Sequence, residues 1–147
     1  AEPLDLVDVY DPQADSWQQV APMPQARSRH SATALGGNIY VSGGCTGDED
    51  YTTNVVVFDP QANTWTELAS MGTGRMDHTS AAIGGKLYVF GGVTDSGHTA
   101  SVEAYDPVSN TWEQMSDLTG AATSGMVAVG LGAIRRIPLV PFQYLCF

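Results

Sequence analysis

Three histidines, two cysteines and one run of three acids are the side chains best equipped for chemistry in this 147-residue sequence. Each needs partners at particular spacings: a metal wants three or four ligands, a nucleophile wants a base within reach. His98 lies in a polar loop with no cysteine or other histidine nearby, and Cys45 and Cys146 stand far apart in unlike contexts. No Gly-x-Ser-x-Gly, P-loop or dinucleotide fingerprint is present. His30 and His78 are 48 residues apart in matching phrases, "HSATAL" and "HTSAAI". Such periodic placement points to a structural job rather than to catalysis. Asp11, Asp59 and Asp106 form a second tempting set, yet each precedes a proline in a turn phrase. The acids left free to act are Asp48, Glu49 and Asp50, in "CTGDEDYTT", whose plain reading is a solvated loop. No enzyme activity, catalytic residue, metal set or cofactor is expected.

Composition narrows the class. Sixteen glycines and eight prolines separate short aromatic and β-branched runs, which favours many short strands and tight turns. Sixteen acids against six bases give a formal charge of -10. A surface of that sign repels nucleic acid and anionic lipid and suits a basic or neutral protein partner. Two isolated cysteines do not make a disulfide framework, and neither a signal peptide nor a membrane-length apolar run is visible. The expectation is a cytoplasmic protein.

The strongest signal is repetition. "VYDPQADSWQQV" from Val9 returns as "VFDPQANTWTEL" from Val57 and "AYDPVSNTWEQM" from Ala104. Arg27 and Arg75, the glycine pairs 36–37 and 84–85, and the pairs 43–44 and 91–92 keep the same interval of 48. Each unit reads as four strands, a to d from the inside out. Strand a carries small side chains, as an innermost strand crowded around an axis requires. The glycine pair after it supplies the positive φ angles of a tight hairpin. Strand b is apolar and ends on a second glycine pair, where another backbone can approach. Strand c ends in Tyr10, Phe58 or Tyr105. Asp then accepts a hydrogen bond at the first turn position, Pro presets the second, and Asp15, Asn63 or Asn110 tolerates the left-handed residue. Trp17, Trp65 or Trp112 opens strand d and offers a flat surface to pack against the next sheet.

This set of double glycine, Tyr-Asp-Pro and tryptophan resembles the Kelch repeat, and its long regular form is similar to the BTB-Kelch, or Kelch-like, adaptor proteins. The resemblance runs from about Leu4 to Gly132. It implies an all-β fold: a partial, open Kelch β-propeller of four-stranded antiparallel blades. It also implies a protein-binding module, the substrate-recognition region of a cullin ubiquitin-ligase adaptor, whose cullin contacts lie in domains absent from this chain. A cytoskeletal, actin-associated scaffold is the alternative, and an oxidase or epimerase propeller a remote one.

The expected organisation is strands c and d of a first blade in 1–20, repeats in 21–68 and 69–115, the start of a further repeat in 116–132, and a divergent apolar tail in 133–147. That amounts to about eleven strands, fewer than a closed ring of the usual size. In the tail, "IRRIPL" (134–139) stands where a strand b should recur, with Arg135, Arg136 and Pro138 ill suited to a central strand. An association-prone chain with exposed edges is expected, rather than an orderly dimer. Recognition should reside in the loops. The single length change between units falls between strands b and c, from Gly44 to Phe58 against Gly92 to Tyr105. By the family's geometry the b–c and d–a loops line one face. That places Arg29, Cys45, Asp77 and Val93 toward the axis, with Asp48, Glu49, Asp50, Tyr51, Asp95 and His98 beside them. The Arg29 position is often basic in relatives that bind acidic peptides; here its counterpart is Asp77.

Overall fold

The computed structural model describes residues 3–47, 50–120, 124–126 and 128. Among them all regular structure is antiparallel sheet, with no helix. Strands β1 (Asp8–Asp11) and β2 (Ser16–Gln19) form a lone hairpin. The next sheet runs in chain order through β3 (Ser31–Leu35), β4 (Asn38–Ser42), β5 (Val55–Asp59) and β6 (Thr64–Glu67). The third repeats that plan with β7 (Thr79–Ile83) and β8 (Lys86–Phe90). A two-residue hairpin, β9 (Val93–Thr94) and β10 (Gly97–His98), follows before β11 (Val102–Asp106) and β12 (Thr111–Gln114) complete the sheet. Four-stranded meanders side by side, with no closed barrel among the described residues, make an open arc of a propeller. The β9–β10 hairpin was not foreseen in the sequence. Most of the expected fourth-unit strand from Met126, and the tail 133–147 with Cys146, lie outside the described residues.

The turn chemistry is as the phrases demand. Asp59 Oδ1 accepts the N–H groups of Gln61 and Ala62 at 2.8 and 3.2 Å, and Asp11 does the same for Gln13 and Ala14. Asp15, Asn63 and Asn110 hold φ of 48, 52 and 53°. The aromatic residue ending strand c buttresses this left-handed residue. Tyr105 donates its hydroxyl to Asn110 Oδ1 at 2.8 Å and Tyr10 donates to Asp15 Oδ1 at 2.7 Å, a bond Phe58 cannot make.

Blades meet through three kinds of contact. On the inside, β3 lies against β7, with the Ser31 and Thr33 hydroxyls each 2.6 Å from Ser80 Oγ. In the middle, Tyr40, Leu87 and Tyr105 share one buried cluster, and Val55, Met71 and Val89 another. On the outside the tryptophans lean on the preceding blade, not the following one as the sequence reading had it. Trp65 Nε1 donates to Ala21 O at 2.8 Å, and Trp112 Nε1 to Ala69 O at 2.7 Å. The chain enters each blade from its predecessor's outer strand, so the connector is the surface nearest the indole. Glycine permits close approach of the blades: a Cβ on Gly43 would stand 2.5 Å from Arg75 O, while Gly44 N–H donates to that same oxygen at 2.9 Å. Between the lone hairpin and the second sheet the packing is open, leaving a cleft of about 450 Å³ lined by Leu4, Leu6, Met23, Ile39 and Val41.

Candidate functional site

A meander puts its a–b and c–d turns at one end and its b–c and d–a loops at the other. The turn end holds a solvent-facing ion pair, Lys86 Nζ to Asp106 Oδ2 at 3.3 Å. Hydrogen bonding from the Val108 N–H, then Lys86, holds the Asp106 carboxyl below its usual range. The loop end is built on backbone pairing within and between blades. Within blades, Ser28 and Cys45 exchange two N–H···O bonds at 2.9 and 2.7 Å, and Met76 and Val93 exchange two at 3.0 and 2.8 Å. Each d–a loop is thereby clipped to the b–c loop of its own blade. Between blades, Asp77 N–H donates to Arg29 O and Gly125 N–H to Asp77 O, both at 3.0 Å. These three residues sit 48 apart and have φ of 56, 51 and 70°. A left-handed residue turns both its N–H and its C=O sideways, so neighbours at this position link into a ladder along the arc.

Most of the expected face assembles on this frame. The Arg29 guanidinium lies 3.7 Å from Asp77 Oδ2, with side chains 47 and 38% exposed, and its Nη1 also reaches Met76 Sδ at 3.5 Å. Screened by solvent, such a pair contributes at most about 1 kcal/mol, but it neutralises the charge it carries. Asp50 is exposed and accepts from Thr46 Oγ1 at 3.0 Å, which closes the loop around it. Tyr51 and Val93 are half-buried, while Asp95 and His98 are exposed on the β9–β10 hairpin. Asp48 and Glu49 lie outside the described residues. Cys45 departs from its expected place on the face: it is buried, its thiol donating to Gly47 O. It shapes the loop from beneath, because the clip to Ser28 turns its side chain inward.

Two glycines belong to this face and were not singled out in the sequence. Gly74 carries no side chain because a Cβ would collide with the Tyr51 carbonyl, which rests on it from the neighbouring blade. Gly125 was findable, since it falls one repeat after Asp77. His78 occupies no surface: its Nε2 shares a 2.9 Å hydrogen bond with Ser42 Oγ. Desolvation, then Arg75 and His30, pushes its pKa down to about 3, so it is neutral. Among the described residues no group of His, Cys, Asp and Glu could hold a metal ion. The face offers shape and charge.

A family model described as the KLHDC2/KLHL20/DRC7 Kelch-repeats domain matches residues 2–133. The chain belongs to the Kelch-repeat family. It is similar to Kelch-like protein 21 of Danio rerio, 53% identical over 38 residues, 26% of this chain and 6% of that protein. Kelch-like protein 33 of Homo sapiens is 36% identical over 53 residues, 36% of this chain and 10% of that one. Influenza virus NS1A-binding protein homolog B of Danio rerio is 43% identical over 49 residues, 33% and 8% of the two. These matches span a tenth or less of the relatives' own lengths. In Kelch terms the described arc is two full blades preceded by the outer hairpin of another. The Kelch homologues mark it as a protein-interaction module.

Proposed function

We propose that this Kelch arc recognises a protein or peptide on its loop face, as the substrate-recognition part of a cullin ubiquitin-ligase adaptor in the cytoplasm. The family match and the Kelch-like relatives support the adaptor reading. One observation carries the choice of partner chemistry. Arg27 and Arg75 are buried and Lys86 lies at the turn end, so Arg29 is the one exposed cation of the loop face among the described residues, and it faces Asp77. With Asp50 and Asp95 exposed and Asp48 and Glu49 next to Asp50 in sequence, the face favours a basic or neutral ligand over an acidic one.

Peptide probes of equal length, one rich in lysine and arginine, one in aspartate and glutamate, one uncharged, test this at low salt. The basic probe should bind tightest, and replacing Asp48, Glu49 and Asp50 by serine should remove most of its advantage without changing the melting curve. Equal binding of the three probes would sink the charge argument. The adaptor role is tested on the parent polypeptide: a cullin should co-purify with it and not with residues 1–147. A parent that retains no cullin overturns that part.

A further inference from the structure

The outer edge of each blade grips the connector of the blade before it, and the grip has a fixed chemistry. In the second blade Trp65 Nε1 donates to Ala21 O while Asn63 Oδ1 accepts from Ala21 N–H at 2.9 Å. In the third, Trp112 Nε1 and Asn110 Oδ1 take the Ala69 peptide groups at 2.7 and 2.9 Å. One residue's donor and acceptor are satisfied together by an indole and a side-chain carbonyl at its flanks.

The lone hairpin carries the same grip, with nothing in it among the described residues. Trp17 is 70% exposed, and neither its Nε1 nor the second lone-pair capacity of Asp15 has a partner among the described residues. Asp15 Oδ1 accepts only the Tyr10 hydroxyl, whereas Asn110 Oδ1 in the same place accepts both Tyr105 and Ala69. Val9 and Tyr10 are also close to half exposed here. At the other end of the arc stands the matching object. Val20, Leu68 and Met115 each donate N–H to the strand c residue 13 before them, Val7, Val55 and Val102. The residue after Met115, Ser116, is therefore the counterpart of Ala21 and Ala69. It is exposed, and neither its N–H nor its C=O has a partner among the described residues. Ile83 and Tyr88 lie half-buried where the previous blade has Leu35 and Tyr40, which pack around Trp112 and Tyr105.

We propose that the bare face of the β1–β2 hairpin docks on the Met115–Leu118 connector of a second copy of this chain, Trp17 and Asp15 closing on the Ser116 peptide. The contact is head to tail, since each copy offers a different edge. Its occupant follows from complementarity: the grip wants an extended backbone with one unpaired N–H and one unpaired C=O, and among the described residues the Ser116 connector of this same chain supplies them. The formal charge of -10 on each copy opposes the approach, so added salt tightens it.

Sedimentation of the 147-residue chain across a concentration series provides the test. Trp17→Ala should weaken association roughly tenfold or more, as loss of a central tryptophan anchor does. Ser116→Pro, which removes the N–H that Asp15 accepts, should weaken it from the other edge. In dilute chain, where no second copy is bound, Ser116→Pro should keep the wild-type melting curve and Trp17→Ala should lose only its contact with Tyr10, and Val108→Ser at an exposed turn tip should change nothing. Mixing the two variants should restore complexes that stop at two chains, because each retains the edge the other lacks. A monomer at every concentration overturns the proposal. So does association that survives both substitutions, or a mixture that fails to complement.

Discussion

Arg27 in the second blade and Arg75 in the third occupy one repeat position and close the same gap. Arg27 Nη1 donates to Gly43 O at 3.1 Å and Asn54 O at 3.4 Å; Arg75 Nη1 donates to Gly91 O at 2.8 Å and Ser101 O at 3.1 Å. Each guanidinium thus ties the end of strand b to the start of strand c. Their counter-charges differ. Arg75 meets Glu103 directly at 2.7 Å, deep inside, and that carboxylate also accepts the Gly72 N–H at 2.6 Å. Arg27 instead donates to Asn54 Oδ1 at 2.6 Å, and Asn54 passes the link to exposed Glu67, again at 2.6 Å. The repeat dictates the cation because backbone carbonyls need it. The anion is a local solution, placed on whichever strand leaves room.

That difference sets the largest expected effect. Arg75→Met strands the Glu103 carboxylate without its partner, which should cost about 3–5 kcal/mol in urea denaturation. Arg27→Met leaves a neutral amide and an exposed acid, so its cost should stay near the 1–3 kcal/mol of an unmade buried hydrogen bond. Adding Glu103→Leu to Arg75→Met should recover part of the loss, a coupling the second blade lacks. Equal losses in the two blades would show that the placement of the counter-charge is immaterial.

The histidines sharpen the same contrast. His78 is buried against Ser42, whereas His30, one repeat earlier, is exposed. An unfolded imidazole protonates near pH 6.5 and folded His78 only at about 3. Between those values the unfolded chain holds more protons, so stability falls as pH drops. From pH 7 to pH 5 the loss should be about 2 kcal/mol by the linkage slope of roughly 1.4 kcal/mol per unit. Chemical denaturation at the two pH values measures it. His78→Gln should flatten that dependence and His30→Gln should alter it less; an unchanged slope in His78→Gln would break the argument.

Much of this was legible because the repeat exposes local rules. Asp59, Asn63 and the glycine pairs announce their turns through backbone chemistry that depends on a few adjacent residues. What the sequence hid is what neighbours decide. Glu103 reads as a polar residue of strand c, yet it is 3% exposed because Arg75 arrives from elsewhere. Arg29 gives no sign of its left-handed backbone; only Gly125, one repeat beyond Asp77, hints that the position demands it. The β9–β10 hairpin escaped notice because two residues per strand are too few to show a period. Cys45 was placed on the face by analogy of position, and the loop's own hydrogen bonds turned it under.

The smallest effect compares a gripped tryptophan with a bare one. Trp65 and Trp17 open the same strand d, pack in tilted pairs with Phe58 and Tyr10 at 5.0 and 5.1 Å between ring centroids, and differ in whether a connector lies beneath. Phenylalanine preserves a ring for this contact while removing Nε1–H. Trp65→Phe therefore leaves Ala21 O short of its donor and should cost about 1 kcal/mol beyond the smaller ring's lost contact. Trp17→Phe, measured in dilute chain where no second copy is bound, has no such bond to lose and should melt within the error of wild type. The comparison isolates the contribution of one indole N–H to holding two blades together. A Trp17→Phe loss equal to that of Trp65→Phe would mean that the tryptophan stabilises its own hairpin and that the grip on the neighbouring connector contributes nothing.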